Sequence, residues 1–94
     1  MPPQFTWDRN KAIRNDAKHG VTFEEAATIF RDPLAFIFDD DSHSDDEFRE
    51  LMIGFSDRRR LLIVSFIERT GAVRIISARK ATNRERTDYK QQTR

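Results

Sequence analysis

Apolar positions change their spacing along this chain, and each change marks an element. Between Trp7 and Gly20 they are few (Ala12, Ile13 and Ala17), in a stretch that opens on Asp8 and closes on Gly20. An aspartate can cap a helix N-terminus and a glycine can leave the C-terminus left-handed, so this spacing predicts a first helix. Thr22-Phe23-Glu24-Glu25 then reads as a capping box, with the Thr22 hydroxyl and the Glu25 carboxylate satisfying each other's backbone donors. Phe23, Ala26, Ala27 and Phe30 follow at i, i+3, i+4 and i+7, the apolar face of a second helix that Asp32-Pro33 ends.

Beyond Pro33 the pattern becomes strand-like in four pieces, residues 34–38, 48–55, 61–67 and 72–78. The run LLIVSFI is apolar throughout and predicts a central strand covered on both faces or nearly so. Short turns at Ser56-Asp57-Arg58-Arg59 and Glu68-Arg69-Thr70-Gly71 make three of the four strands an antiparallel meander. Thr82-Asn83-Arg84-Glu85 is a second capping box, opening a helix to about Gln92 whose one large ring is Tyr89. Such a helix is held by a few docked residues, by a partner, or only weakly. The expected class is α+β: two N-terminal helices packed on a four-stranded, mainly antiparallel sheet, followed by a C-terminal helix. With 94 residues and no repeat or Gly/Ser linker, residues 1–94 read as a single domain.

Composition sharpens this picture. Residues are 37% hydrophobic and 35% charged, yet eight phenylalanines and one tryptophan argue for a packed core rather than disorder. No apolar run reaches the ~20 residues of a membrane span, and MPPQFTWDRN lacks a basic n-region and an h-region, so the cytoplasm is the expected compartment. Without cysteine, disulfides, thiolate catalysis and most zinc-site designs are excluded. The net charge of +1 hides a segregation. Between residues 39 and 50, seven acids face Arg49 alone; between 69 and 94, eight bases face Glu85 and Asp88. The basic end concentrates phosphates whatever the global charge.

Two long stretches carry a resemblance. FTWDRNKAIRNDAKHGVTFEEAATIFRDPLA contains W-D, K-H-G-V and F-E-E-A; RRRLLIVSFIERTGAVRIISARKATNRERTDY contains E-R, R-I-I-S-A-R and E-R-x-x-Y. In this order and spacing the chain resembles, over nearly its whole length, the BrnT toxins of bacterial type II toxin-antitoxin pairs, small ribonucleases related in fold to the RelE group. The resemblance implies a toxin that cleaves RNA and blocks translation, held inactive by a BrnA-like ribbon-helix-helix antitoxin that also binds operator DNA. One departure is Ile67, where the family usually has a small polar residue before the E-R pair.

RNA cleavage without a metal or other cofactor needs a base for the 2′-hydroxyl proton, cations for the charged phosphorane and an acid for the leaving 5′-oxygen. Arginine suits the cationic task because its fork can grip two phosphate oxygens. Arg74 and Arg79 are the candidates; in a regular strand they have opposite parity, and they converge if the strand breaks near Ala78. The plainer reading is two solvated edge charges. Glu68, ending an apolar strand, is the candidate base, the alternative being a salt bridge to Arg69 or Arg74. His19 can titrate near neutrality, or simply meet the last carbonyls of its helix before Gly20. Tyr89 can act as an acid, stack on a base, or anchor the terminal helix. Arg59 and Arg60 in the basic turn, with Arg69, Lys80 and Arg84, are candidate RNA contacts. Asp39, Asp41, His43 and Asp45 lack the spacing of a calcium or zinc site and read as a solvated loop, so no metal is expected.

Two other functions use the same basic edge. One is a non-catalytic module that binds nucleic acid or protein through it. The other, a DNA-binding regulator acting alone, lacks helix-turn-helix spacing.

Overall fold

The computed structural model describes residues 4–39 and 49–92. Asp8 and Gly20 bound the first helix as predicted: α1 is Arg9–His19, Asp8 accepts from the Lys11 amide at 2.9 Å, and Gly20 lies at φ 69°. What α1 buries is different. Ile13 is 59% exposed and Ala17 is exposed, whereas Asn15 is buried. Its amide donates to the carbonyls of Val21 (3.0 Å) and Ala78 (2.8 Å) and accepts from the Ala78 N–H at 3.1 Å. A polar clamp, rather than an apolar stripe, docks this helix.

The second helix, α2, is Phe23–Thr28, continued by a 3-10 turn over Ile29–Arg31. Half of the expected capping box forms. Thr22 Oγ1 accepts from the Glu25 amide at 3.1 Å. The Glu25 carboxylate turns inward instead, to the Ser56 hydroxyl (2.7 Å) and the Arg60 guanidinium, because a buried carboxylate facing an arginine gains more than one capping a helix start.

Among the described residues five strands, not four, form one sheet: β1 (Gln4–Thr6), β2 (Phe36–Asp39), β3 (Glu50–Phe55), β4 (Leu61–Arg69) and β5 (Ala72–Lys80), in the order β1-β5-β4-β3-β2. The predicted meander is β3-β4-β5, with β2 antiparallel at one edge. The unpredicted strand is β1, parallel to β5 through Phe5↔Val73. Three residues are too few to display a period; Phe5 is held by Phe30, ring centroids 5.1 Å apart.

One sheet face carries Met52, Leu62, Val64, Phe66, Val73, Ile75 and Ala78 and is covered by Val21, Phe23, Ala26 and Ile29. The other carries Ile53, Leu61 and Ile63, flanked by Phe36, Leu51 and Phe55, and receives Tyr89 from α3 (Asn83–Gln92). At Gly54 the first face is tight: an added Cβ would lie 2.8 Å from Ala35 Cβ.

Candidate functional site

β5 does not break at Ala78. It runs to Lys80, and the parity problem is solved inside it. Cross-strand partners run Leu62↔Lys80 to Ser65↔Ser77, then shift to Phe66↔Ile75 and Ile67↔Arg74, leaving Ile76 without an opposite number. This β-bulge inserts one residue, so Val73, Ile75 and Ala78 all point at the helices while Arg74 and Arg79 both point away from them. Arg74 lies opposite Ile67 and beside Thr6 of β1; Arg79 lies opposite Ile63. Their partners are four residues apart on β4, about 13 Å of strand, within reach of one RNA backbone segment. Arg69, opposite Ala72, shares this face beside Arg74. Between the arginines lie exposed Ser77 and buried Ser65, whose hydroxyl has no hydrogen-bond partner among the described residues.

Arg79 is held by α3. Its Nη1 and Nη2 donate to Glu85 Oε1 (2.7 Å) and Oε2 (2.9 Å), a two-pronged pair that keeps the guanidinium aimed and charged. Glu85 also closes the second predicted capping box: Oε1 accepts from the Thr82 amide at 2.8 Å, and Thr82 Oγ1 accepts from the Glu85 amide at 3.2 Å. The Arg79 hydrogen bonds, against a smaller opposing effect of burial, bring the Glu85 carboxyl down to about 2. Sequence reasoning missed Glu85 as a site residue. Its signal was present, since the third position of a capping box turns its carboxylate back toward the strand end just before the helix.

Tyr89 anchors. It is buried, its ring stacks on Phe36 at 6.1 Å and meets Phe55 edge-on at 5.4 Å, and its hydroxyl donates to Asp32 Oδ2 at 3.0 Å. Burial, helped by the Asp32 charge, pushes it up to about 12, so at neutral pH it holds its proton firmly. Asp32 also accepts from the Leu34 amide (2.9 Å) and the Phe55 amide (2.8 Å), and these bonds outweigh burial to keep it ionised.

Other predicted site residues are not gathered here. Glu68 is exposed rather than partly buried, and it lies opposite Val73 on the helix-covered face, five residues or about 17 Å of strand from the level of Arg79. Strand alternation puts it on the sheet face opposite to Arg74 and Arg79. His19 ends α1, likewise on the helix-covered side. Arg60 is taken up structurally: Nε donates to Glu25 Oε2 at 2.9 Å and Nη2 to Glu25 Oε1 and to the Gly20 carbonyl at 3.0 Å. Arg59 is exposed in the hairpin turn at φ 61°. Lys80 and Arg84 are exposed near Arg79, with Lys80 on the opposite face.

Among the described residues no group of three or more His, Asp or Glu side chains could hold a metal ion, and no helix is long and apolar enough to cross a membrane. Of the group Asp39, Asp41, His43 and Asp45, all but Asp39 lie outside the described residues.

Residues 7–85 match the family model of the ribonuclease toxin BrnT of type II toxin-antitoxin systems. Among solved structures, the Brucella abortus ribonuclease toxin BrnT is similar, with a TM-score of 0.66 and 25% identity over 86% of this chain and 99% of that one. No curated protein matches.

Proposed function

Because the chain belongs to the BrnT family of ribonuclease toxins of type II toxin-antitoxin systems, we propose that it is a metal-independent endoribonuclease whose phosphate site is the Arg74–Arg79 face. The observation that carries this reading is the bulge at Ile76, which turns both arginines to one side of the sheet. A 2′-oxygen attacks the adjacent phosphorus, the bond to the 5′-oxygen breaks, and a 2′,3′-cyclic phosphate and a 5′-hydroxyl result. Arg79 and Arg74 stabilise the charge that grows on the phosphorane oxygens.

A phosphate that takes the Arg79 fork displaces Glu85. Its carboxyl thereby loses the largest cause of its low pKa and becomes a better acceptor for the 2′-hydroxyl proton. The 5′-oxygen takes its proton from solvent, which reaches the partly exposed Arg79. Cleavage of messenger RNA would halt translation. Exposed Leu34, Ile37 and Phe38 at the β2 edge support a covering partner, a BrnA-like ribbon-helix-helix antitoxin that carries the complex to operator DNA.

The test is cleavage of end-labelled RNA in EDTA by the wild type, Arg74→Ala and Arg79→Ala. Cyclic-phosphate ends are expected from the wild type, with losses of about 100-fold or more in each variant. Intact RNA, with ribosomes added as well, would overturn the reading. A binding module would then remain, recognised by a salt dependence of RNA affinity that falls by about one unit of slope in Arg79→Ala.

A further inference from the structure

Beside the arginine face, α3 and the sheet enclose a cleft of about 370 Å³. Phe36, Phe38, Ile53 and Ile63 form its floor, and Glu85, Asp88 and Gln91 form a wall. We propose that this cleft is a nucleobase pocket that selects the base next to the cleaved phosphate, with guanine preferred. The proposal rests on the reading of Arg74 and Arg79 as the RNA-phosphate site.

Its position carries the first part of the inference. Ile63 of the floor is the cross-strand partner of Arg79, and Glu85 of the wall is its bonded partner. A nucleotide whose phosphate sits on Arg79 therefore has this cleft within reach of its base. The cleft is of ligand-pocket size, apolar below and polar on one side, which is what a flat aromatic heterocycle with a polar edge requires. Phe36 is committed to the stack on Tyr89, but Phe38 is 38% exposed and its face can receive a base.

The wall supplies the preference. In the resting chain Glu85 is held by Arg79 and Thr82, and once a phosphate displaces it, it serves the 2′-hydroxyl, which leaves Asp88 as the wall's exposed carboxylate for a base. A carboxylate can only accept hydrogen bonds. Guanine alone among the four bases offers it two adjacent donors, N1–H and the N2 amino group, and Gln91, three residues on along α3, can serve the neighbouring acceptor O6.

The test titrates the full-length protein with the four nucleoside 3′-monophosphates while following the methyl resonances of Ile53 and Ile63. Saturable shifts at both are expected, tightest for guanosine by about fivefold or more; Phe38→Ala should weaken binding about tenfold, and Asp88→Asn should reduce the guanine preference to within about twofold. Both residues are exposed, so the variants should fold. No shift at either methyl, or equal shifts with base-free ribose 5-phosphate, overturns the pocket. The two readings fail separately. Guanosine binding without RNA cleavage sinks the ribonuclease and keeps the pocket. RNA cleavage whose site preference is the same in wild type, Phe38→Ala and Asp88→Asn sinks the pocket and keeps the ribonuclease.

Discussion

Ile76 is surplus to the β4–β5 ladder, so deleting it should restore regular alternation without moving either arginine to another face. After deletion, Ile75 and Ala78 still point at the helices, Ser77 and Arg79 still point away, and the partners Ile67↔Arg74 and Ile63↔Arg79 are unchanged. The loss is one half-buried isoleucine side chain, about 1 kcal/mol. Against it stands a regularised ladder, about 0.5–1 kcal/mol. The net change should stay within about 1 kcal/mol, a shift in Tm of no more than roughly 8 °C for a domain of this size. Ser65 offers the contrast, because it is paired on both sides, to Leu51 and to Ser77. Deleting it would swing Leu62 and Val64, both fully buried against the helices, to the other face, costing at least about 4 kcal/mol. Thermal and urea unfolding of the two deletions and of Ile76→Ala, with RNA cleavage measured in parallel, decides the matter. A deletion of Ile76 that unfolds or inactivates the protein while Ile76→Ala does neither would refute the bulge as the device that aligns Arg74 and Arg79.

Glu85→Gln should lower stability at neutral pH by about 1–2 kcal/mol, the ion-pair contribution after discounting for the partly exposed arginine. Because the folded carboxyl lies at about 2 against 4.5 in the unfolded chain, this contribution is fully present above about 4.5 and disappears as pH falls toward 2; urea midpoints of wild type and variant should converge there. The same variant should bind RNA up to about tenfold more tightly yet cleave it more slowly, read by filter binding and single-turnover cleavage. Tyr89→Phe should cost about 1–2 kcal/mol at neutral pH. The raised tyrosine stabilises the fold fully below 10 and loses its contribution as pH climbs from 10 to about 12, so the wild type should weaken over that window and the variant should not. Gly54→Ala should destabilise by about 1–3 kcal/mol, since the new methyl meets Ala35 Cβ and lies 3.3 Å from Asp32 Oδ2. It should also speed hydrogen exchange in α3, whose tyrosine depends on Asp32.

Much of this was legible in the chain, and what was not has physical causes. Both ends of α1, the Thr82 capping box and the β3-β4-β5 meander follow from local rules and appear in place. Tertiary contacts overrode local ones elsewhere. Glu25 abandons its cap for Arg60, Asn15 rather than Ile13 docks α1, and β1 exists because Phe5 finds Phe30 and a free edge of β5. At the site, residue types were readable and their facing was not. Alternation counted from sequence puts Arg74 and Arg79 apart, and a bulge leaves no mark on the composition of VRIISAR. Glu68 lies apart from them for the complementary reason: β4 is regular at its end, so the glutamate keeps the parity of Phe66 and stays on the helix side.

The Arg79–Glu85 pair joins these threads. A carboxylate gripping both guanidinium nitrogens occupies the geometry that a phosphate diester would take, so with Arg79 as the proposed phosphate site the resting chain holds an internal anion where a substrate anion would sit. Exchange of one for the other breaks one attachment of α3 and leaves the anchor at Tyr89, with its stack against Phe36 and Phe55, in place. The exchange costs RNA roughly the 1–2 kcal/mol of the lost pair, about tenfold in affinity. In return, a carboxylate too acidic to accept a proton is released beside the phosphate with its basicity restored. On the proposed reading binding and activation are the same event: α3, with a single buried residue, yields at one end while Tyr89 keeps it in register at the other.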